Sequence, residues 1–347
     1  MRLDVFRAYV VNRRCQPGCR EARSKSRLVR RAISNSTRRI CTSAVKDLTQ
    51  RRITPLPSKS DGVIPTTDMI AKPFDRCGLA SADDFETPRW RELFSNLEAV
   101  QTDFLAHESE FRSGGYAWER DPLHGWSRSW EYPYHYHHLT EWRHAQANAV
   151  PTVVDLGSGV TFFPFAVART GCSVVCVDPD PVAKEEVERA AAVVSAAPGS
   201  VSFAAGDCAA IPLSDGAADA VYCISVLEHV DGPERAVPEV ARVLRSGGLF
   251  VLTIDIDLRG NMAIGPAKYD ELMRLLRAQF DWAMPETTVH PRRMLDGFQG
   301  PYARAHQTQV PGIMWRAADG DLKPIVGGPI AADPMQLTVY AAVLRKR

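Results

Sequence analysis

One short stretch constrains the fold more than any other: an apolar run that contains an acid and ends in a glycine turn. Residues 153–156 read Val-Val-Asp-Leu and are followed by a turn that contains Gly157 and Gly159. A second apolar run, residues 174–177, ends at Asp178. Glycines lack a Cβ atom, so the backbone can turn tightly beside a ligand, and an acid after the second strand can bind both hydroxyls of a ribose. The pattern therefore predicts a strand, a turn, a helix and a strand that form a nucleoside pocket.

Two classes of nucleoside fit such a pocket, and the turn distinguishes them. A dinucleotide-binding turn has a third glycine, which lets the helix pack closely on the strand, and the pyrophosphate lies at the start of that helix. Here Phe162 replaces the third glycine, and Asp155 places a negative charge below the phosphate position. A pyrophosphate is therefore disfavoured, whereas a sulfonium nucleoside with an α-ammonium group is compatible. An NAD-dependent oxidoreductase remains the less favoured alternative.

Later blocks of the chain continue the alternation of strands and helices. They are residues 201–208 with the pair Gly206-Asp207, residues 211–223, residues 225–230 and residues 241–252. Together with the first turn, these blocks resemble the class I S-adenosylmethionine-dependent methyltransferases, of the small-molecule, methyltransferase type 11-like kind. The resemblance covers residues 149–256.

The resemblance implies a cofactor, a set of contacts and a fold. The cofactor is S-adenosyl-L-methionine, and in this family the acid at Asp207 reads the adenine amino group. The implied cofactor-binding residues are Asp155, Gly157, Ser158, Gly159, Asp178, Asp207, Cys208 and Ile224. The implied fold is α/β, a doubly wound, mostly parallel seven-stranded sheet with an N-terminal helical cap. The short apolar runs independently favour a parallel sheet whose ligand lies at the carboxyl ends of the strands.

Charge is distributed unevenly and divides the chain into three expected segments. Residues 1–60 hold 16 Lys or Arg and three acidic residues, whereas the remaining residues hold 26 basic and 38 acidic ones. We expect a basic, disordered leader over residues 1–68, a helical and aromatic cap over 69–148, and a methyltransferase domain over 149–347. The leader could be a transit peptide, a tail for nucleic acid or anionic membranes, translated sequence ahead of a start at Met69, or a foldable extension.

The predicted cap contains an amphipathic helix and a stretch rich in aromatic and histidine residues. The helix follows Thr87, a suitable N-cap, and residues 118–144 hold the aromatic stretch. Such a stretch is compatible with an aromatic wall for the substrate, with a metal cluster, or with a cap that packs on the sheet. A metal site is disfavoured because neighbouring histidines cannot easily share one tetrahedral ion. The candidate substrate contacts are Tyr132, Tyr134 and His135, because the resemblance places this segment over the crevice.

Two residues near the carboxyl ends of the fourth and fifth family strands are candidates for catalysis. His229 follows one strand and is the candidate general base, and Asp255 lies at the end of the next. The alternative is that His229 only orients its loop. Residues 223–226 lack the Asn/Asp-Pro-Pro-aromatic motif of enzymes that methylate exocyclic or amide nitrogens. We therefore expect transfer to an oxygen or carbon of a small-molecule, lipid-linked or sugar acceptor, with a catalytically inactive S-adenosylmethionine-binding regulatory protein as the alternative.

Composition narrows the class of protein further. The acidic body disfavours a nucleic-acid partner. No apolar run reaches the roughly 18 residues that a membrane-spanning helix needs. The eight cysteines show no paired spacing of a zinc site, so we expect reduced thiols, no metal and a cytoplasmic location. The pattern carries no prediction of the oligomeric state.

Overall fold

The computed structural model describes most of the chain after residue 72, with several gaps. The described residues are 73–115, 120–146, 150–230, 232–257, 264, 266–290, 293–295, 301, 314–316, 322–324 and 337–347. The predicted leader, residues 1–68, lies outside the described residues.

A mixed sheet forms the centre of the described structure. Its strands are β1 Cys77–Leu79, β2 Thr152–Leu156, β3 Ser173–Asp178, β4 Ser200–Ala205, β5 Ala218–Ile224, β6 Leu244–Asp257, β7 Phe280–Trp282, β8 Glu286–Thr287 and β11 Leu337–Lys346. Strands β9 Met314–Arg316 and β10 Leu322–Pro324 form a separate two-stranded sheet. The order is β4-β3-β2-β5-β6-β11-β1-β8, and β7 pairs with β11 beside this path. Strands β4, β3, β2, β5 and β6 are parallel, and β11 runs antiparallel to β6.

The prediction of a mostly parallel α/β sheet is confirmed, but the predicted count of seven strands is wrong. Among the described residues, nine strands belong to the main sheet. Three of them, β1, β7 and β8, have only two or three residues. So short a strand shows no apolar alternation, and it exists only because a partner strand supplies hydrogen bonds. Strand β1 lies within the predicted cap segment and pairs with both β11 and β8.

Seven α-helices accompany the sheet in the described part of the chain. They are α1 Pro88–Ala106, α2 Glu108–Phe111, α3 Arg128–His144, α4 Phe163–Ala168, α5 Pro181–Val193, α6 Pro233–Val243 and α7 Pro266–Gln279. Thr87 caps α1 as expected, because its side chain accepts a hydrogen bond from the backbone N–H of Trp90. Helix α3 packs against α1, α4, β5 and β6, so the predicted cap and the sheet share one hydrophobic core.

Polar contacts inside this core hold α3 to the segment that precedes α1. Arg76 and Asp84 form a buried ion pair with an Nη2 to Oδ2 distance of 2.5 Å, and Trp130 Nε1 donates to Asp84 Oδ2 at 2.8 Å. The Tyr134 hydroxyl donates to the carbonyl of Arg76 at 2.8 Å, and His138 Nε2 lies 2.9 Å from the carbonyl oxygen of Phe74. Much of the aromatic and histidine stretch therefore stabilises the fold.

Candidate active site

The glycine turn after β2 brings backbone and carboxylate together at the carboxyl end of the sheet. Gly157 has a φ of 75° and donates its N–H to the carbonyl of Val177 at 2.8 Å. A Cβ on Gly157 would lie 2.6 Å from both methyl carbons of Val226. Gly159 has a φ of 50° and donates its N–H to Asp178 Oδ2 at 3.0 Å. Only glycine satisfies both the left-handed backbone and the close approach at Gly157.

Two acidic residues follow the neighbouring strands β3 and β4 at this same edge. Asp178 ends β3, and its Oδ1 accepts a hydrogen bond from the backbone N–H of Asp180 at 2.8 Å. Asp207 lies two residues beyond β4, is exposed, and accepts a hydrogen bond from the N–H of Ala209 at 2.7 Å. Because β3 and β4 pair in parallel with Asp178 opposite Ala205, both carboxylates lie at the carboxyl ends of adjacent strands. Such a pair can accept hydrogen bonds from ribose hydroxyls and from an exocyclic amine.

Asp155 lies below the turn, inside the protein. Only 5% of the residue is exposed. Burial raises the pKa of Asp155 to about 7; the nearby Asp178 carboxylate adds to this effect, and Tyr222 opposes it. A buried carboxyl of this kind can bind an ammonium group, and it disfavours a phosphate for the same electrostatic reason.

The remaining predicted cofactor residues also lie at the carboxyl edge of the strands. Ser158 is buried within the turn, and its hydroxyl donates to the carbonyl of Gly159 at 3.2 Å. Cys208 is buried next to Asp207, and burial raises the pKa of its thiol to about 12. Ile224 is the half-buried last residue of β5.

His229 follows β5 in a short turn that begins at Ser225. The backbone N–H of His229 donates to the carbonyl of Val226 at 2.9 Å. The residue is exposed, although protein atoms restrict hydration of its ring. This desolvation, together with the positive charges of Arg128 and Lys268, lowers the pKa of His229 from its ordinary value. The imidazole is therefore neutral at neutral pH, the state in which it can accept a proton.

Asp255 lies on β6, beside the same turn. Its backbone N–H donates to Glu228 Oε1 at 2.9 Å, and Lys268 Nζ donates to the carbonyl of Glu228 at 2.9 Å. Burial raises the pKa of Glu228 well above its usual range, and the Asp255 carboxylate adds to the effect. Burial therefore favours the protonated form of Glu228 relative to a carboxyl group in water.

Helix α3 brings further polar groups to the same edge, and the sequence alone did not identify them. The guanidinium of Arg128 forms an ion pair with Glu131, a side chain with no exposed surface. The hydroxyl of Ser225 donates to Glu131 Oε1 at 2.6 Å. One signal was available: Glu131 is an acidic residue within an aromatic helical segment, where a charge needs a partner.

All three predicted substrate contacts are buried, and Tyr132 retains 4% of its surface exposed. Tyr132 lies beside the turn, with its ring centroid 5.2 Å from that of Phe162 and 4.9 Å from that of Phe163. Tyr134 and His135 have no exposed surface, and His135 Nδ1 lies 2.9 Å from the carbonyl oxygen of Glu131. Tyr134 and His135 are therefore core residues in this structure and do not line an open site.

The described residues contain neither a candidate metal site nor a candidate membrane-spanning helix. None of their His, Cys, Asp and Glu side chains form a group of three or more that could hold a metal ion. No helix in this part of the chain has the length and apolar character needed to cross a membrane.

Comparisons with known proteins agree with this geometry. Residues 154–252 match a family described as "Methyltransferase domain". An uncharacterized methyltransferase from Mycobacterium sp. (strain JLS) is 39% identical over 105 residues, which are 30% of this chain and 39% of that protein. One from Mycobacterium avium (strain 104) is 36% identical over 117 residues, 33% of this chain and 44% of that protein.

Similarity to solved structures is lower. The structure of a geranyl diphosphate methyltransferase is 21% identical in sequence, with a TM-score of 0.41. The similarity covers 60% of this chain and 76% of that one. The chain spans about two fifths of the length of the two mycobacterial relatives. The segment that matches the methyltransferase domain family, residues 154–252, begins within β2 and ends within β6, so the similarity covers the parallel strands that carry the glycine turn.

Proposed function

We propose that the protein transfers a methyl group from S-adenosyl-L-methionine to an oxygen or carbon of a small-molecule acceptor. The observation that carries this proposal is the arrangement at one sheet edge. The glycine turn and three acidic residues lie on one side, and His229 with Arg128 and Lys268 lies on the other. When bound, the cofactor supplies a methyl group that its sulfonium centre already activates.

The residues at the first side fit this cofactor. Asp178 would hold the ribose hydroxyls, because backbone N–H groups at the strand end fix its carboxylate. Asp207 would accept a hydrogen bond from the adenine amine. Asp155 would face the ammonium group, because it is a buried acid below the turn. Three carboxyl groups around the turn favour a nucleoside with a cationic tail over a pyrophosphate.

The residues at the second side suit an acceptor that loses a proton. A neutral His229 can take the proton of a hydroxyl or of an acidic carbon. Arg128 and Lys268 lie close enough to His229 to depress its pKa, so their charges also act on negative charge that develops on the acceptor. Alignment of the acceptor with the methyl group and exclusion of water complete the contribution of the protein.

The test uses labelled S-adenosyl-L-methionine. The protein is incubated with either a small-molecule extract or nucleic acid, and we expect label to appear in small molecules only. Label that appears only in nucleic acid would overturn the acceptor class. Binding of the cofactor by calorimetry without transfer to any fraction would favour the regulatory alternative, and binding of NAD in its place would refute the cofactor assignment.

A further inference from the structure

We propose that Glu131 is a positioning residue for the cofactor: from helix α3 it holds Ser225 in a left-handed conformation and so presses Val226 against the Gly157 turn. The inference rests on the proposed function, because it concerns the affinity of the same site for S-adenosylmethionine and its product. It assigns a role to a carboxylate that lies outside the turn and outside the matched residues 154–252.

Ser225 has an unusual backbone for a residue with a Cβ. Its φ is 49°, and among the described residues it is the only non-glycine with a positive φ. That region is disfavoured for serine, so the conformation persists only where surrounding contacts hold it. Two contacts do so here: the N–H of Ser225 donates to the carbonyl of Thr253 at 3.0 Å, and its hydroxyl donates to Glu131 Oε1 at 2.6 Å.

Glu131 is well suited to hold this conformation. The side chain has no exposed surface, and its carboxylate lies between the guanidinium of Arg128 and the hydroxyl of Ser225. Burial alone would raise the pKa of Glu131, but Arg128 and Ser225 outweigh burial and lower it. The carboxylate is therefore ionised, and a hydrogen bond to an ionised acceptor is stronger than one between neutral groups.

The backbone of Ser225 determines where the next residues lie. Val226 packs so closely on the turn that its methyl carbons lie 2.6 Å from the position of a Cβ on Gly157. The carbonyl of Val226 also accepts the N–H of His229 at 2.9 Å. If Ser225 relaxed to an ordinary conformation, Val226 would leave the Gly157 turn, and the backbone that surrounds the cofactor would lose its support.

The test measures the affinity for S-adenosylhomocysteine by calorimetry, so it needs no acceptor. Ser225→Ala removes the hydroxyl and keeps the Cβ, and we expect about tenfold weaker binding because the competent conformation is less populated. Ser225→Gly also removes the hydroxyl but adopts positive φ freely, and we expect affinity within about threefold of the wild type. Glu131→Leu should behave like Ser225→Ala, and combining it with Ser225→Gly should restore binding.

Ser129→Ala is the matched control. Ser129 is a buried serine on the same helix, and its hydroxyl donates to the carbonyl of Trp126 at 2.8 Å, remote in sequence from the turn after β5. This variant should lower the melting temperature without changing the affinity. Equal binding by the wild type, Ser225→Ala and Ser225→Gly would overturn the inference, as would equal weakening in the two variants. No binding by the folded wild type would refute the proposed function itself. If Glu131→Leu does not fold, the two Ser225 variants decide the question alone.

Discussion

Replacement of Asp155 with Asn should stabilise the protein at alkaline pH and have little such effect at acid pH. The carboxyl is 5% exposed, and its pKa in the folded protein is about 7, compared with an ordinary value of 3.8. The difference is about 3 pKa units, and each unit corresponds to about 1.4 kcal/mol. Ionised Asp155 therefore costs the folded protein up to about 4 kcal/mol, a cost that the neutral amide avoids.

The sign follows from the protons that each state binds. Below about pH 4 the carboxyl is protonated in both states and has no effect on the pH dependence. Between about pH 4 and 7 the folded state keeps the proton while the unfolded state has lost it, so the free energy of unfolding falls as the pH rises. Above about pH 7 both states are ionised and the contribution is constant. The free energy of unfolding of the wild type therefore falls across this pH window. Asp155→Asn has no carboxyl group at this position and does not show this fall.

Urea denaturation at pH 5 and pH 8 measures the effect. The difference in free energy of unfolding between Asp155→Asn and the wild type should grow by about 1 to 3 kcal/mol from pH 5 to pH 8. Most of the pH range over which folded and unfolded Asp155 differ in ionisation lies between these two values. Asp207→Asn is the control, since Asp207 is an exposed carboxylate near the same edge. An advantage of equal size at both pH values would refute the reasoning, because the carboxyl would then not change its ionisation across the window.

Three further predictions follow from the site and the core. Asp178→Ala should weaken binding of S-adenosylhomocysteine by about tenfold to a hundredfold in calorimetry, because hydrogen bonds to a charged group are lost; unchanged affinity would remove Asp178 from the site. His229→Ala should lower turnover by about a hundredfold to ten thousandfold in the labelled-methyl assay with nearly unchanged cofactor affinity; full turnover would leave His229 only an orienting role in its loop. Asp84→Ala should destabilise the protein by about 3 to 5 kcal/mol in urea denaturation, because buried Arg76 would lose its counter-charge; a loss below 1 kcal/mol would contradict this.

The placement of the proposed cofactor residues at one sheet edge could be predicted from the sequence, because these residues lie at or next to strand ends. Asp155, Gly157 and Asp178 follow directly from two apolar runs and the turn between them. In a parallel sheet the carboxyl ends of neighbouring strands meet at one edge, so the order of elements along the chain is enough to bring these residues together.

The proposed acceptor side depends on contacts between distant parts of the chain. The Ser225 hydroxyl donates a hydrogen bond to Glu131, 94 residues away in the sequence. Lys268 donates one to the carbonyl of Glu228, 40 residues away. No local pattern encodes which face of helix α3 packs on the sheet. The sequence suggested Tyr132, Tyr134 and His135 as substrate contacts, and the packing buries all three.

The sequence by itself determined the α/β alternation, the glycine turn and the acids that follow the strands, because short-range sterics and the apolar period act within a few residues. Only the tertiary structure decided the order of the nine described strands, with β11 beside β6 and the three-residue β1 beside β11, because so short a strand acquires its hydrogen bonds solely from its neighbours. It also decided that a buried carboxylate on α3 meets the left-handed backbone of Ser225. Such a contact arises when two distant elements pack together, and packing depends on the shape of the whole core.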